Sequence, residues 1–264
     1  MRKPMYLVLT LIFLTVVMSV SAAALSTSTL FLPMVGYHMV MLPTPPMTYT
    51  PPVVTPTPTK TPPGSISPNV VRILTPQATY TSLLGRHIVG EVKNLASFPV
   101  AVTGIRAQFY DANNHLLGHV DGAPLLSRIE PNKKACFNIL VPSMVDQWSR
   151  YELSVTDVVG PLSPRPRLSV YNLQPGISPY NTYMITGKVR NDEGVTLWTV
   201  TAAGALYDEQ GHIWDCSLPT GTVIESLAPG ETWDIMIIFP RPGVAPATYK
   251  VEADGYRAPM LPGY

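Results

Sequence analysis

The chain has 264 residues, of which 46% are hydrophobic, 13% are charged and 29 are proline, and its formal net charge is +1. A balance so close to zero provides no strongly basic face, so the composition argues against nucleic acid as a partner. The length suits one or two domains. Charges are unevenly placed, because the first acidic residue is Glu91. The front quarter of the chain therefore does not resemble ordinary globular sequence.

The N-terminus carries the pattern of a secretory signal peptide. Two basic residues precede an apolar run over residues 5–20, and small residues follow. The run, about 16 residues, is shorter than the roughly 20 that span a bilayer. We predict that residues 1–24 are a signal peptide cleaved after Ala22 or Ala24. An uncleaved membrane anchor is the alternative, because residues 25–42 are also apolar; the membrane is then contacted only through this N-terminal segment.

Residues 25–69 are predicted to be a low-complexity linker. Between Pro43 and Pro63 the chain contains nine prolines and seven threonines. Proline restricts φ and lacks a backbone donor, so this stretch is expected to be extended and unable to form a core. We interpret it as a stiff spacer. Its threonines suit O-glycosylation in organisms that perform it, and an unmodified linker is the alternative.

The rest of the chain contains two copies of one unit. The sequence GEVKN at Gly90–Asn94 recurs as GKVRN at Gly187–Asn191. The match continues in register over about 65 residues, with one residue inserted in the second copy. We predict repeat 1 at residues 70–158 and repeat 2 at residues 167–257, with a proline-containing boundary at 158–166.

Both copies alternate apolar and polar residues with a period of two, which is typical of β-strands. In the first copy Ile88, Gly90 and Val92 share one face, and Glu91 and Lys93 take the other. The pattern predicts an all-β fold of two tandem immunoglobulin-like antiparallel β-sandwich domains. The last two strands of each copy are predicted at 135–141 and 149–158, then at 231–239 and 247–254.

Turn residues recur at matching places in the two copies. Asp111–Asn114 and Asp208–Gly211 are predicted hairpin turns, with Asn or Gly in the left-handed position. Pro131–Asn132 and Pro229–Gly230 are predicted β-turns for the same reason. The small residue Gly204, on an inward-facing strand position, predicts close approach of a facing sheet.

These motifs together resemble the FxLYD domain family: G-x-V-x-N, a strand ending in an aromatic residue or Leu followed by Tyr-Asp, a polar turn, and a later Pro-Gly turn. The second copy carries Leu206-Tyr207-Asp208 and the Pro229-Gly230 turn, whereas the first has Phe109 for Leu and Asn132 for Gly. The resemblance covers about residues 70–157 and 167–256.

The resemblance implies small β-sandwiches on bacterial and archaeal exported proteins, with no catalytic residues to transfer. An Asp that opens a turn accepts backbone N–H groups, and a Tyr beside it covers the sheet edge, so structural roles are expected. The structural motif residues are Gly90, Asn94, Tyr110, Asp111, Gly187, Asn191, Tyr207 and Asp208.

No catalytic signature is present. The chain lacks a nucleophile elbow, a phosphate-binding glycine loop, His-Glu-x-x-His and paired Cys-x-x-Cys, so neither an enzyme nor a cofactor is predicted. The nearest approach to a metal site is His115, His119 and Asp121, but one strand rarely provides three converging ligands. Asp111-x-Asn113-Asn114 is an incomplete calcium pattern. We predict no metal.

Cys136 and Cys216 fall at non-equivalent positions of the two copies, which excludes a disulfide within one copy. A disulfide between the copies is conceivable in an oxidising exterior if the Cα atoms come within about 7 Å. Two separate, partly covered thiols are the preferred interpretation.

Three tryptophans lie in the second copy. Trp198 and Trp233 fall on the inward phase and are predicted to lie in the core. Trp214 is the best candidate for an exposed ring. With Tyr207 it would form an aromatic strip of the kind that binds sugars.

The sequence as a whole predicts an exported, extracellular or cell-surface protein with a non-catalytic role in adhesion, scaffolding or protein interaction. Its expected partner is an envelope protein or polysaccharide. The alternative is a carbohydrate- or cell-wall-binding module that uses Trp214 and Tyr207 as ligand-binding residues. If the chain binds neither protein nor polysaccharide, a passive spacer is the simplest interpretation.

Overall fold

The computed structural model describes residues 64–142, 147–221, 223–243 and 246–258. These residues are all-β: they form sixteen strands in four antiparallel sheets, with one turn of 3-10 helix at Pro68–Val70. Both repeats belong to one compact unit. The predicted signal peptide and the Pro/Thr-rich stretch lie outside the described residues. Within the described ranges, no helix is long and apolar enough to cross a membrane.

Repeat 1 contains nine strands: β1 (Gly64–Ser65), β2 (Val71–Ile73), β3 (Ala78–Ser82), β4 (Gly85–Asn94), β5 (Val100–Tyr110), β6 (Leu116–Gly122), β7 (Arg128–Ile129), β8 (Lys134–Val141) and β9 (Arg150–Gly160). Sheet 1 has the order β1-β9-β5-β6, with β7 also paired to β5. In sheet 2, β4 pairs with β8 along most of its length and with β2 and β3 along successive segments.

Repeat 2 contains seven described strands: β10 (Leu168–Ile177), β11 (Thr182–Asn191), β12 (Leu197–Tyr207), β13 (Ile213–Ser217), β14 (Val223–Leu227), β15 (Thr232–Pro242) and β16 (Thr248–Tyr256). Sheet 3 has the order β10-β11-β15, and in sheet 4 β12 pairs with β13, β14 and β16. These pairings repeat those of repeat 1, with β10 in place of β2 and β3. The four strands predicted at the ends of the copies are confirmed within three residues.

Each repeat has one buried core to which both of its sheets contribute. In repeat 1, Ile88 and Val92 of sheet 2 pack with Ile105 and Phe109 of sheet 1. This confirms the predicted inward face of β4. The equivalent core of repeat 2 includes Ile185 and Phe239 of sheet 3 and Val200 and Leu206 of sheet 4. Burial of such side chains contributes about 1.5–3 kcal/mol each and is the main reason that the sheets stay together.

Close approach at two glycines confirms the prediction for Gly204. A Cβ atom on Gly204 would lie 2.8 Å from Cζ of Phe239, and one on Gly90 would lie 2.3 Å from Cζ of Phe137. Real Cβ atoms do not come this close, so both positions require glycine unless the phenylalanine ring moves.

The predicted left-handed turn residues are also confirmed. The φ angle is 63° at Asn114, 61° at Asn132, 76° at Gly211 and 75° at Gly230. At the first turn, Oδ1 of Asp111 accepts the backbone N–H groups of Asn113 at 2.7 Å and His115 at 2.8 Å. In such Asx turns the side-chain oxygen accepts hydrogen bonds from backbone N–H groups that the hairpin leaves unpaired.

The folded part of repeat 1 begins inside the segment 25–69 that was predicted to be linker. Gly64 pairs with Gly160, and the backbone N–H of Ile66 donates to Val158 at 2.9 Å. The strand β1 therefore extends sheet 1. Comparison of the repeats could not reveal β1, because no described strand of repeat 2 takes the equivalent place.

The outer face of β4 is buried as well as the inner one. Val89 is fully buried and Glu91 is only 6% exposed. A strand at the surface of a sandwich would leave this face in water. The reason for the burial is that repeat 2 packs against it.

Candidate functional site

The two repeats meet through a small apolar cluster between sheet 2 and sheet 4. Its buried members, which we call the junction cluster, are Val89, Cys136, Ala205, Ile213 and Cys216. The first two belong to repeat 1 and the other three to repeat 2. Removing these side chains from water favours contact between the repeats.

A cleft of about 330 Å³ opens beside the junction cluster. Glu91 lies in its wall and accepts hydrogen bonds from Nζ of Lys134 at 2.7 Å and from Oη of Tyr207 at 3.0 Å. The buried carboxylate is thus paired within repeat 1 and capped by repeat 2, as a buried charge requires. Burial, followed by the charge of Glu91, raises the pKa of Tyr207. Tyr207 therefore remains a hydrogen-bond donor.

A second polar group at the junction is centred on Asp215, which is fully buried. Its Oδ1 accepts from Oη of Tyr80 at 3.0 Å and from Nδ2 of Asn138 at 3.3 Å, and its Oδ2 accepts from the backbone N–H of Arg241 at 3.1 Å. Burial raises the pKa of Asp215 to about 6, although the hydrogen bonds from Tyr80 and from the backbone of Arg241 act in the opposite direction.

A series of hydrogen bonds continues from Asn138 to the surface. Oδ1 of Asn138 lies 2.8 Å from Nδ1 of His87, and Nε2 of His87 lies 2.9 Å from Oγ of Ser82. The spacing resembles a Ser-His-Asn triad. However, Oγ of Ser82 also accepts the backbone N–H of Leu84 at 3.0 Å, and Ser82 does not line the cleft beside the junction cluster. We interpret the series as structural.

The connector between the repeats is held by a third polar group. Nε of Arg128 lies 3.4 Å from Oδ2 of Asp254, and Nε of Arg165 lies 3.6 Å from the same oxygen. Nη2 of Arg128 also donates to the carbonyl of Gly255 at 3.0 Å. Burial raises the pKa of Asp254, and the two arginines oppose that rise. Repeat 1, the connector and repeat 2 thereby share one ion-pair network.

The two predicted ligand-binding residues pack in different parts of repeat 2 and contact different partners. Trp214 is half-buried against the core of repeat 2, and the guanidinium of Arg241 lies 4.4 Å from its ring centroid. Tyr207 packs on the junction cluster and bonds to Glu91. The structure does not bring Trp214 and Tyr207 together as one exposed strip.

The two tryptophans predicted to be core residues are both half-buried. Trp233 packs against the core of repeat 2. Trp198 lies outside the buried clusters, because β12 is irregular here: Thr199 has a φ of 50°. A local departure from the period of two changes which face a side chain takes.

The motif asparagines are structural. Nδ2 of Asn94 donates to the carbonyls of Phe98 and Ile129, both at 2.9 Å, and its Oδ1 accepts the N–H of Ala96 at 2.8 Å. Asn191 makes the same three bonds in repeat 2. Each asparagine therefore ties the loop after its own strand to a third segment.

The other motif residues also have local partners. Oη of Tyr110 donates to Glu152 at 3.2 Å, and the guanidinium of Arg150 lies 3.8 Å from the Tyr110 ring centroid. Asp208 accepts two backbone N–H groups of its turn, as Asp111 does. At Gly187, a Cβ atom would lie 2.6 Å from a methyl carbon of Leu173.

The residues considered for a metal are occupied by other partners. His115 pairs with Asp111 at 3.2 Å, His119 lies 4.0 Å from Asp121, and Asp121 receives two hydrogen bonds from Arg106 at 2.7 and 2.8 Å. In the part of the chain that the structure describes, no three His, Cys, Asp or Glu side chains are grouped to hold a metal ion.

Sequence reasoning missed Glu91, Asp215 and Arg128 as interface residues. The sequence signal that could have revealed the interface is a pair of apolar residues. Val89 and Ile213 occupy outward-facing strand positions where a solvated sheet would carry polar residues. That pattern indicates that the face is covered but does not show which part of the protein covers it.

Comparison with known proteins identifies no family. No protein-family model and no curated protein matches the chain. Among solved structures it is similar to the crystal structure of Amycolatopsis orientalis exo-chitosanase CsxA, with 14% identity, a TM-score of 0.24, and coverage of 70% of this chain and 26% of that one. The chain thus spans about a quarter of that protein's length. A similarity at this level carries no functional argument.

Proposed function

We propose that the chain is a non-catalytic module of the cell exterior that serves adhesion, scaffolding or protein interaction. The observation that carries this proposal is that the buried ionisable groups between the repeats satisfy one another. Glu91 is bound by Lys134 and Tyr207, and Asp215 by Tyr80 and its neighbours. A catalytic carboxylate needs an oxygen that is free to meet a substrate, whereas both oxygens of Glu91 are engaged by neighbouring side chains.

The repeated strand pairings support the assignment of each repeat as an immunoglobulin-like β-sandwich of the FxLYD type. In both repeats two antiparallel sheets contribute to one core, and the Asn and Asp motif residues make equivalent hydrogen bonds. Placement outside the cell is supported by the basic-apolar-small pattern of residues 1–24 and by the Pro/Thr-rich stretch after it.

The experiment that tests the proposal is a pull-down with the full mature chain on envelope from the source cells, separated into protein and polysaccharide fractions. We expect saturable retention on a protein component, with no loss after polysaccharide digestion. Retention on polysaccharide alone would favour the alternative function. Absence of retention on both fractions would contradict the proposal and leave a passive spacer.

The carbohydrate-binding alternative has support at a place other than the predicted aromatic pair. An open groove on sheet 3 is lined by polar side chains that include Asn172, Gln174 and Lys188. Amide and ammonium groups are suited to bind sugar hydroxyls. Under this alternative, replacing Gln174 and Lys188 with Ala abolishes glycan retention, whereas Trp214→Ala leaves it intact.

A further inference from the structure

We propose that Cys136 and Cys216 form a disulfide that joins the two repeats covalently. Both cysteines are free thiols here, and both are buried in the same junction cluster. Cys136 belongs to repeat 1 and Cys216 to repeat 2, so the bond would close across the interface. The proposal does not depend on the ligand or partner of the protein.

The neighbouring strands β8 and β13 bring the two cysteines into one cluster. Some Cα atoms of β8 and β13 lie within 8 Å of each other. Nδ2 of Asn138, two residues after Cys136 on β8, donates to the carbonyl of Cys216 at 3.0 Å. The Cys136 thiol is also near enough to contribute to the raised pKa of the Cys216 thiol. The two cysteines are therefore neighbours across the interface of the assembled repeats.

Differences in exposure give the two sulfurs different roles. Cys136 is 8% exposed and lines the cleft, whereas Cys216 has no exposed surface. An external disulfide, either a small one such as oxidised glutathione or that of a thiol oxidoreductase, can therefore reach only Cys136. The cleft is the route of entry, and the buried Cys216 is the resolving thiol.

The reaction balances as a thiol–disulfide exchange. The deprotonated sulfur of Cys136 attacks the external disulfide, forms a mixed disulfide and releases one external thiol. The deprotonated sulfur of Cys216 then attacks Cys136, forms the Cys136–Cys216 bond and releases the second external thiol. The protein loses two electrons and two protons, and the external disulfide gains both.

Burial makes the reaction slow in the closed protein. Burial, and then the neighbouring Cys136 thiol, raise the pKa of Cys216. The reactive thiolate is therefore scarce while the junction is closed. We expect oxidation to be faster when the repeats first assemble than in the finished structure.

The test is to equilibrate the reduced, full-length chain with a glutathione redox series, denature it in a thiol-alkylating reagent, and measure its mass and peptide map. The chain has two cysteines, so the result is unambiguous. We expect a monomer that has lost two hydrogens, carries no alkyl group, and yields one disulfide-linked peptide pair. Alkylation of both cysteines, stable glutathione adducts on the wild-type chain, or disulfide-linked dimers would overturn the proposal.

Two single variants test the assigned roles. In Cys216→Ala, glutathione should remain attached to Cys136, because no resolving thiol is present. In Cys136→Ala, Cys216 should stay unmodified while the protein is folded. Equal labelling of the two variants would contradict the assignment.

A measurement on the wild-type chain alone tests the disulfide even if a variant does not fold. The oxidised chain should unfold about 5–10 °C higher than the same chain with reductant, because the cross-link restricts the unfolded chain. No difference between the two samples would contradict a disulfide at the junction.

Discussion

At Asp215, a carboxylate with no solvent contact is held by donors from both repeats. Tyr80 and Asn138 come from repeat 1, and the backbone N–H of Arg241 comes from repeat 2. Hydrogen bonds compensate only part of the loss of hydration that a buried charge suffers. The folded protein therefore favours the protonated form of Asp215 more than an unfolded chain does.

This balance predicts a pH dependence of stability. The pKa of Asp215 is about 6 in the folded protein and 3.8 without the fold, so the folded protein binds an additional proton between about pH 4 and pH 6. The contribution of Asp215 to stability must fall as the pH rises through this window and then level off. In Asp215→Asn, a neutral side chain replaces the titrating one.

The measurement is Tm for the wild type and Asp215→Asn from pH 4 to pH 8. We expect the wild type to lose stability relative to the variant up to about pH 6, with a constant difference above it. Asp254, whose pKa is also raised, is present in both chains and cancels in the comparison. Parallel profiles would show that Asp215 does not titrate in this range.

Among the strands and loops, the motif asparagine is the residue that organises each repeat. Asn94 ends β4 and binds two carbonyls that belong to different segments, at Phe98 and Ile129. One side chain thus holds the β4–β5 loop against the end of β7. The repetition of all three bonds at Asn191 explains why G-x-V-x-N recurs in the sequence.

We predict that Asn94→Ala destabilises the protein by about 2–4 kcal/mol, because two carbonyls and one N–H group lose their partner in a buried place. The measurement is urea unfolding followed by fluorescence. Asn113→Ala is the matched control, since the Asn113 side chain is exposed and only its backbone N–H is used in the turn. Equal losses in the two variants would contradict the role given to Asn94.

How far the sequence predicts an element depends on which face is considered. Alternation placed Ile88 and Val92 in the core, and the turn residues were predicted from their chemistry. Glu91, on the opposite face of β4, was predicted only as outward-facing. Its burial depends on Tyr207, which is distant in sequence, and period-two patterning contains no information about which face meets which.

In the whole molecule, the two repeats are held as one body by groups of different chemistry. The junction cluster is apolar, Glu91 and Asp215 accept hydrogen bonds across the interface, and Arg128 and Asp254 pair at the connector. Equivalent residues of the two repeats have consequently acquired different surroundings. Tyr110 of repeat 1 is near the surface, whereas its counterpart Tyr207 is enclosed.

This pair offers a matched test of the interface. Tyr207→Phe removes the hydroxyl that caps Glu91 and should lower the free energy of unfolding by about 1–2 kcal/mol. Tyr110→Phe makes the same chemical change at the equivalent position of repeat 1 and should have no measurable effect, because its bond to Glu152 is exposed to water. Urea unfolding of both variants measures the difference. A larger loss for Tyr110→Phe would contradict the interface described here.

The face that repeat 1 offers to repeat 2 is not reproduced on repeat 2 itself. The positions of Val89, Glu91 and Cys136 are taken in the second copy by Thr186, Lys188 and Asp234, and Lys188 and Asp234 form an ion pair at 2.5 Å. A further copy of the chain cannot dock there by the same contacts. A head-to-tail contact that repeats without closing produces filaments. The contact between the two repeats therefore cannot be continued on sheet 3 of repeat 2.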